Sequence, residues 1–290
     1  MGAADVIPGV SGGTMAFILG IYPRLVEAIR AFDTPFLRLL ARGEWRAAAR
    51  HADLVFLLWL ALGIGCALFF FTRVVPLPTL IRTHPEAVYG LFFGLIVASV
   101  VVLLRETRRA GLRDLSMIVL GTAVGYSVVT LVPVETPTAA WFVFVSGGLA
   151  ICAMILPGIS GSFVLLILNK YAYVFDAIGR LDPGVMLPFA LGAATGLVLF
   201  SRVLTWLLHR YYQRTLLFIC GLLVGSLWVI WPFQERGYAM IRGERVLVQS
   251  SPVWPDALSA PVIVAAVLMA VGLALVFGLH ALSATRARST

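Results

Sequence analysis

The segment Pro8-Gly9-Val10-Ser11-Gly12-Gly13 recurs 149 positions later as Pro157-Gly158-Ile159-Ser160-Gly161-Ser162, both times inside strongly apolar sequence. At this offset nine of the 22 positions from Pro8 to Ile29 are identical. A proline followed by small residues interrupts a helix, and in lipid such a break is tolerated only where its backbone is buried in protein or lines a cavity. The duplicated break therefore predicts one binding site between two repeats, an arrangement found in many transporters.

The sequence around these motifs has the composition of an integral membrane protein. Of its 290 residues, 60% are hydrophobic and 12% are charged, a balance that differs from that of ordinary soluble domains. None of the apolar stretches alternates with a period of two, which argues against an outer-membrane barrel. Six runs are long enough to cross a bilayer as helices, at residues 54–71, 87–104, 115–132, 185–200, 216–231 and 257–282.

Further matches divide the chain into two repeats. Leu62-Gly63 corresponds to Leu191-Gly192 at an offset of 129, and Arg73-Val74 corresponds to Arg202-Val203 at the same offset. We therefore predict an all-α membrane protein, a single transmembrane domain in which each repeat is a helical hairpin followed by three spans. The apolar arms after the tips reach only about half-way across a core of about 30 Å, so both hairpins are predicted to be re-entrant. The predicted repeats are residues 1–133, with a tip at 8–14, and residues 134–290, with a tip at 157–162.

The two repeats differ in the arm before the tip. Only seven residues precede Pro8, whereas about 16 apolar residues precede Pro157. We therefore expect the first arm to be truncated and the native chain to begin further upstream. A stop codon directly upstream in the genomic DNA would contradict this expectation.

Three spans per repeat is an odd number, so the second repeat should be inverted relative to the first. The distribution of Lys and Arg supports this, with 15 on the face that holds loops 24–53, 105–114, 201–214 and the C-terminus and seven on the other face. The richer face is predicted to be cytoplasmic, which places the chain in the cell inner membrane as a multi-pass protein. The hairpins would then enter from opposite faces, and their tips would meet near the midplane.

The tips are predicted to bind an anion. Small residues after a Pro-Gly turn leave consecutive backbone N–H groups exposed, and the start of a half-helix adds a favourable dipole for a phosphate or a carboxylate. The alternative is close helix packing by small residues, which is common in membranes. The predicted phosphate-binding residues are the glycines and hydroxyl residues of the two tips: Gly9, Ser11, Gly12, Gly13, Thr14, Gly158, Ser160, Gly161 and Ser162.

Ionisable residues near the tips and at the ends of the arms form a second group of candidates. A charge at membrane depth is costly and usually functional, so these residues could carry a proton or counter the anion. The alternative for those at the interface is capping and snorkelling. The candidates are Asp5, Glu27, Lys170, Asp176, Arg73 and Arg202. The histidines and cysteines are scattered singly, so neither a metal site nor a cofactor is predicted.

The remaining basic residues indicate a membrane surface. The net charge is +8, and on a chain this apolar the excess is typical of loops beside lipid, not of a nucleic-acid interface. Arg38, Arg42, Arg46 and Arg50 recur every four residues, which predicts an amphipathic helix lying against anionic lipids. A small β-hairpin is predicted within residues 237–248, around Arg242-Gly243.

At the tips the chain resembles one known family. The segments from Gly2 to Thr14 and from Leu156 to Ser162 are similar to those of the PopT-like polyprenyl-phosphate translocases, a family of bacterial and archaeal membrane proteins formerly known only as a domain of unknown function. The resemblance covers nearly the whole chain. It implies that the partner is undecaprenyl phosphate, returned from the outer to the cytoplasmic leaflet. We expect alternating access by rocking of one repeat against the other, driven by protons.

Two other functions compete with this one. Membrane undecaprenyl-pyrophosphate phosphatases also combine inverted repeats with a Pro-Gly-x-Ser-Arg-Ser motif. Here Gly12 and Gly161 occupy the arginine position, so the cation that would stabilise a transferring phosphoryl group is missing. We therefore predict that the chain is not an enzyme and has no catalytic residues. The third possibility is an ion-coupled carrier of a small soluble anion.

Overall fold

The computed structural model describes residues 1–5, 11–75, 77–107, 111–131, 133–241, 244–255 and 257–289. The described chain is mainly helical, and a π-helical turn, Phe70–Val74, extends the sixth helix. In chain order the helices are α1 (Gly2–Asp5), α2 (Gly12–Ile18), α3 (Tyr22–Arg30), α4 (Thr34–Ala41), α5 (Trp45–His51), α6 (Leu54–Phe69), α7 (Leu77–Thr83), α8 (Pro85–Glu106), α9 (Leu112–Val129), α10 (Ala140–Ile155), α11 (Gly161–Ile167), α12 (Tyr171–Arg180), α13 (Pro183–Arg210), α14 (Tyr212–Ile230) and α15 (Ala260–Ser289).

The six predicted apolar runs all form helices, namely α6, α8, α9, α13, α14 and α15. Four helices among the described residues are long and apolar enough to cross a bilayer, and up to six if each of two bent pairs counts as one span. The pairs are α5 with α6, bent by 67°, and α11 with α12, bent by 105°. These lengths support a multi-pass, helical membrane protein.

The chain also contains a β-hairpin, so its fold is not purely helical. Strands β1 (Gln234–Ile241) and β2 (Glu244–Pro252) pair antiparallel, with a register shift at Gly237/Tyr238. This confirms the hairpin predicted within residues 237–248 and lengthens it at both ends. Arg242 and Gly243 at its turn lie outside the described residues.

The predicted amphipathic arginine helix is instead two short helices, so that prediction was wrong in form. Gly43 has a φ of +72°, a left-handed conformation that favours glycine and ends a helix. α4 therefore stops at Ala41, and α5 begins at Trp45. Phe36 and Ala48 hold the two helices together in a small buried cluster. The arginines of the stripe all lie on the surface: Arg38, Arg42, Arg46 and Arg50.

The chain forms two compact units, each assembled from two separate segments. The first unit contains Met1–Val75 and Pro133–Thr215, and the second contains Pro76–Val132 and Leu216–Thr290. Each unit therefore takes one segment from each predicted repeat. The first unit holds the described residues of both tips and the two long helices that follow them, α6 and α13.

In the first unit, corresponding arms pack on corresponding helices. A Cβ atom on Gly2 of α1 would lie 3.1 Å from Ala67 Cβ of α6. In the second repeat, Gly2 corresponds to Ile151 at the offset of 149, and Ala67 corresponds to Gly196 at the offset of 129. A Cβ atom on Gly196 would lie 3.0 Å from Ile151 Cγ2. Small residues thus let α1 approach α6 as α10 approaches α13.

The helices that follow α2 and α11 lead to opposite ends of α13. α3 reaches the C-terminal end, where Glu27 Oε1 lies 3.3 Å from His209 Nε2. α12 reaches the N-terminal end, where Ala177 and Val185 share a buried cluster with Val143. The two contact points are separated by about 36 Å at 1.5 Å per helical residue.

The second unit is built from two tightly packed helix pairs. In the pair of α8 with α15, a Cβ atom on Gly90 would lie 2.7 Å from the Ala265 carbonyl oxygen. In the pair of α9 with α14, a Cβ atom on Gly225 would lie 2.6 Å from the Thr122 carbonyl oxygen. The Arg105 guanidinium lies 5.6 Å from the ring centroid of Phe277, so the 105–114 loop lies at the same end as the C-terminal part of α15.

Candidate functional site: the two hairpin tips

The second tip is a tight turn between two antiparallel helical arms. α10 ends at Ile155, Gly158 adopts a φ of +89°, and α11 begins at Gly161. α11 folds back along α10 so closely that a Cβ atom on Gly161 would lie 2.5 Å from the Ala150 carbonyl oxygen. Glycine is therefore required at Gly158 by backbone conformation and at Gly161 by space.

The first tip leads into a capped helix. Ser11 is the N-cap of α2, and its Oγ accepts a hydrogen bond of 3.1 Å from the Gly13 N–H. Pro8 and Gly9 lie outside the described residues. Asp5 is the last residue of α1, and its side chain also lies outside the described part of the chain.

The two tips are in direct contact, as predicted from the duplicated motif. The Ser11 hydroxyl donates a hydrogen bond of 3.0 Å to the Met154 carbonyl oxygen. The Gly158 N–H donates one of 3.0 Å to Thr14 Oγ1. Gly13 allows the close approach, because a Cβ atom there would lie 2.6 Å from the Ile155 carbonyl oxygen. Residues more than 140 positions apart thus form one joint.

The joint is more closed than the sequence indicated. Among the predicted site residues that the structure describes, only Ser162 is exposed; the others are buried, namely Ser11, Gly12, Gly13, Thr14, Gly158, Ser160 and Gly161. The hydroxyls of Ser11 and Thr14 are already hydrogen-bonded across the joint. Buried polar groups require such partners, so these two residues hold the tips together, Ser11 as a donor and Thr14 as an acceptor.

The second tip retains hydrogen-bond donors that the joint does not use. Ser160 occupies the N-cap position of α11 but makes no capping hydrogen bond. Its Oγ lies instead 2.7 Å from Ser162 Oγ. The N–H groups of Gly161, Ser162 and Phe163 have no hydrogen-bond partner within the described residues, as is usual at the start of a helix. This group of N–H and hydroxyl donors could receive phosphate oxygens.

Lys170 lies at the base of the second hairpin and not at its tip. Its side chain is 2% exposed, and Nζ donates hydrogen bonds of 3.0 Å and 2.7 Å to the carbonyl and hydroxyl oxygens of Thr136. Nζ also lies 5.5 Å from the ring centroid of Phe142, near the start of α10. Phe142 is separated from Ile155 by about 20 Å of helix, so this charge stabilises the base of the hairpin.

Glu27 and Arg202 are brought together at the C-terminal end of α13. Glu27 pairs with His209, and Arg202 lines a cavity of about 440 Å³ next to the same histidine. No role was predicted from the sequence for His209, Arg30 or Asp33. The overlooked signal is a spacing of four and three residues, which places Arg202, Trp206 and His209 on one helix face.

Asp176 and Arg73 remain on the surface away from the joint. Asp176 lies on α12, and Arg73 lies in the π-helical turn after α6. Neither side chain makes an ion pair or a hydrogen bond within the described residues. The described residues also contain no group of three His, Cys, Asp or Glu side chains arranged to hold a metal ion.

The second unit contains an apolar cavity of about 890 Å³ that sequence reasoning did not anticipate. It lies between α9, α14 and the segment after β2. Its wall is rich in aromatic rings: Phe93, Tyr126, Trp228, Trp231 and Trp254. The Trp231 indole is fixed by a hydrogen bond of 2.9 Å from Nε1 to the Val253 carbonyl oxygen. No charged side chain is among the described residues of its lining, so this cavity does not suit a phosphate.

Comparisons with known proteins identify related transporters. A family model described as "VCA0040-like: Undecaprenyl phosphate translocase-like" matches residues 1–246. A polyprenyl-phosphate transporter of Vibrio cholerae serotype O1 is 40% identical, covering 97% of this chain and 93% of the relative. One from Staphylococcus aureus is 29% identical, covering 80% and 83%. No solved structure matches. The chain therefore belongs to the undecaprenyl phosphate translocase-like family.

Proposed function

We propose that this chain carries polyprenyl phosphate across the cytoplasmic membrane, returning the lipid from the outer to the cytoplasmic leaflet. The observation that carries the proposal is the 40% identity, over 97% of the chain, to a relative that is named a polyprenyl-phosphate transporter. The joined tips add a polar site among apolar helices, which a charged lipid head group needs for passage.

The phosphate binds at the open side of the joint. Ser162 is exposed, and the Ser160–Ser162 hydroxyl pair lies beside three N–H groups without partners in the described residues. Such a group can replace the water that a phosphate loses inside a membrane. Ser11 and Thr14 act indirectly, by holding the second tip in place.

Close packing at Gly161 favours transport over hydrolysis. The related phosphatase motif has an arginine at this position, which would stabilise a transferring phosphoryl group. A Cβ atom on Gly161 would lie 2.5 Å from a backbone oxygen of α10. An arginine therefore could not enter without displacing α10. The carrier needs only reversible contacts from N–H and hydroxyl groups.

The contacts favour movement of the first unit as one body. Rocking of one repeat against the other, which the sequence suggested, would break the Ser11–Met154 and Thr14–Gly158 hydrogen bonds. Both tips instead belong to the same compact unit. We propose that alternating access moves this unit with both tips together. The phosphate then stays bound to the tips while the site opens first to one leaflet and then to the other.

Proton coupling supplies the driving force in this proposal. An anion moving inward opposes an inside-negative potential by about 2.3 kcal/mol per 100 mV. A proton moving with the phosphate removes that cost. Glu27, whose carboxylate lies 3.3 Å from His209 Nε2, is the acceptor that we favour.

Purified protein in liposomes tests the function. A fluorescent prenyl phosphate should change leaflets faster than in protein-free liposomes, and the matching neutral prenol should not. An imposed pH gradient should increase the rate, and indifference to both pH gradient and potential would indicate a passive scramblase. Release of inorganic phosphate from polyprenyl pyrophosphate would instead identify a phosphatase. Competition by soluble phosphate but not by lipid phosphate would identify a carrier of small anions.

A further inference from the structure

The cavity of about 440 Å³ in the first unit, here called the arginine pocket, is separate from the hairpin tips. It is lined by Arg30 at the end of α3, by Asp33 before α4 and by Arg202, Trp206 and His209 on one face of α13. All five residues belong to segments of the first unit. The pocket therefore exists within one compact body and combines residues that are about 170 positions apart.

The two guanidinium groups outnumber the one carboxylate that lines the pocket. Neither Arg30 nor Arg202 forms an ion pair or a hydrogen bond within the described residues. Both remain charged at any physiological pH. A pocket that contains two such groups attracts an anion, and a guanidinium offers paired N–H donors with the geometry that phosphate oxygens accept.

Asp33 contributes one negative charge to the pocket, but its carboxylate is hydrogen-bonded to other groups and pairs with neither arginine. Its Oδ1 accepts 3.0 Å hydrogen bonds from the Phe36 N–H, at the start of α4, and from His51 Nε2. Burial alone would raise the pKa of the Asp33 carboxyl, but the Phe36 N–H and His51 hold this pKa below its ordinary value. The carboxylate thus caps α4.

His209 lies at the edge of the pocket and contacts two acceptor groups. Its Nδ1 lies 2.9 Å from the Thr205 carbonyl oxygen, and its Nε2 lies 3.3 Å from Glu27 Oε1. The His209 ring thus links α13 to Glu27 at the edge of the pocket.

We propose that the arginine pocket binds a terminal phosphate group, as a second site distinct from the tips. A phosphate monoester carries up to two negative charges and three terminal oxygens, which match two guanidinium groups at once. A diester of a bulk phospholipid carries one charge and fewer free oxygens. Trp206 lines the pocket, and its indole is exposed, as is typical of tryptophan at membrane interfaces. A lipid tail would leave the pocket along this side chain.

This inference rests on the proposed function for its biological ligand, since the pocket would hold the lipid head group near the arginine-rich end before or after passage by the tips. The chemistry itself, a terminal phosphate, is common to a lipid head group and to free phosphate. The experiment must therefore separate the two sources and report on the pocket itself.

Chemical protection of arginine provides that readout. The full chain in detergent is labelled with phenylglyoxal, and each arginine is quantified by peptide mass spectrometry. A short-chain prenyl phosphate should lower the labelling of Arg30 and Arg202 severalfold, whereas Arg180, on α12, should label equally with and without ligand. The neutral prenol should protect neither arginine of the pocket. Inorganic phosphate at the same concentration shows whether the free anion suffices.

Each outcome has a defined meaning. Protection by prenyl phosphate alone supports a lipid head-group site, and equal protection by inorganic phosphate supports a site for the free anion. No protection by either ligand would overturn the proposal. Equal protection by phosphatidylglycerol micelles would also overturn it, because the pocket would then be a general contact for anionic lipids.

Transport assays separate this inference from the proposed function. The double variant Arg30→Gln/Arg202→Gln should bind prenyl phosphate about tenfold more weakly, because charge-assisted hydrogen bonds are lost, and should transport it more slowly than Arg180→Gln. If the wild-type protein protects its arginines but moves no lipid, the proposed function fails and the pocket stands. If lipid moves without protection of Arg30 and Arg202, only the pocket fails.

Discussion

At the scale of single residues, glycine determines how closely the arms of each hairpin approach. Gly161 faces the Ala150 carbonyl oxygen with no room for a side chain, whereas a Cβ atom on Gly179 of α12 would meet no atom within 4 Å. The two positions form a matched pair, since both are helical glycines and only one is enclosed.

We predict that Gly161→Ala lowers the free energy of unfolding by about 1–3 kcal/mol, the usual cost of overpacking. Gly179→Ala should leave stability unchanged or raise it by up to about 1 kcal/mol, because alanine favours helices. Thermal unfolding in detergent measures both changes. Equal effects from the two substitutions would show that α11 does not pack against α10 as described.

The hydroxyl residues of the tips are expected to fall into two classes. The double variant Ser160→Ala/Ser162→Ala removes donors on the open side, so affinity for a short-chain prenyl phosphate should fall about tenfold with little change in melting temperature. Ser11→Ala removes an N-cap and a contact across the joint, so stability should fall by about 0.5–2 kcal/mol. Binding titrations and melting curves on the same samples test this division. Loss of binding in Ser11→Ala without loss of stability would reverse the assignment.

At the scale of elements, Lys170 links the base of the second hairpin to the segment before α10. Its buried ammonium group donates to both oxygens of Thr136, and aromatic rings of Phe142 and Tyr173 lie within 6 Å. We predict that Lys170→Met leaves these acceptors unsatisfied and costs about 1–3 kcal/mol of stability.

The same variant distinguishes a structural role from a counter-charge role. Lys170→Met should bind prenyl phosphate with the affinity of the wild-type protein, because the ammonium lies at the base of the hairpin, beside Phe142 and Thr136, and not at the tip. Asn169→Gly, at the exposed neighbouring position whose φ of +52° glycine adopts without strain, is the control for general effects on the loop. A large loss of affinity with normal thermal stability would instead show that Lys170 contacts the phosphate.

At the scale of the whole molecule, contacts between loops agree with the faces assigned from the arginine count. The 24–53 and 201–214 loops meet at Glu27 and His209, and the 133–139 and 169–184 loops meet at Thr136 and Lys170. The two loops of each pair were assigned to the same face of the membrane. The inverted orientation of the two hairpins itself remains a prediction.

Cysteine labelling in cells tests that orientation. In a background without native cysteines, Leu258→Cys, at an exposed position after the β-hairpin, should react with a membrane-impermeant maleimide added outside. Leu37→Cys, on exposed α4, should react only after the membrane is permeabilised. Labelling of both positions from outside would disprove the assignment of faces.

The sequence by itself determined the elements of this protein. Apolar run length defined six long helices, and the Pro-Gly motif predicted breaks in the apolar segments, because both depend on a few neighbouring residues and on the thickness of a bilayer. The constant offsets between repeats also indicated that the two tips form one joint. These properties could be inferred from local chemistry together with internal repetition.

Only the tertiary structure decided how the side chains are used. In the sequence, Ser11 and Thr14 look equivalent to Ser160 and Ser162, because all four are hydroxyl residues at a tip. In the structure the first two hold the joint together, and the second two remain available to a ligand. The proximity of Arg30 to Arg202 and the interleaving of the repeats in two units were likewise not readable from the chain. Such features depend on contacts between residues more than 100 positions apart, and packing, not local preference, sets those contacts.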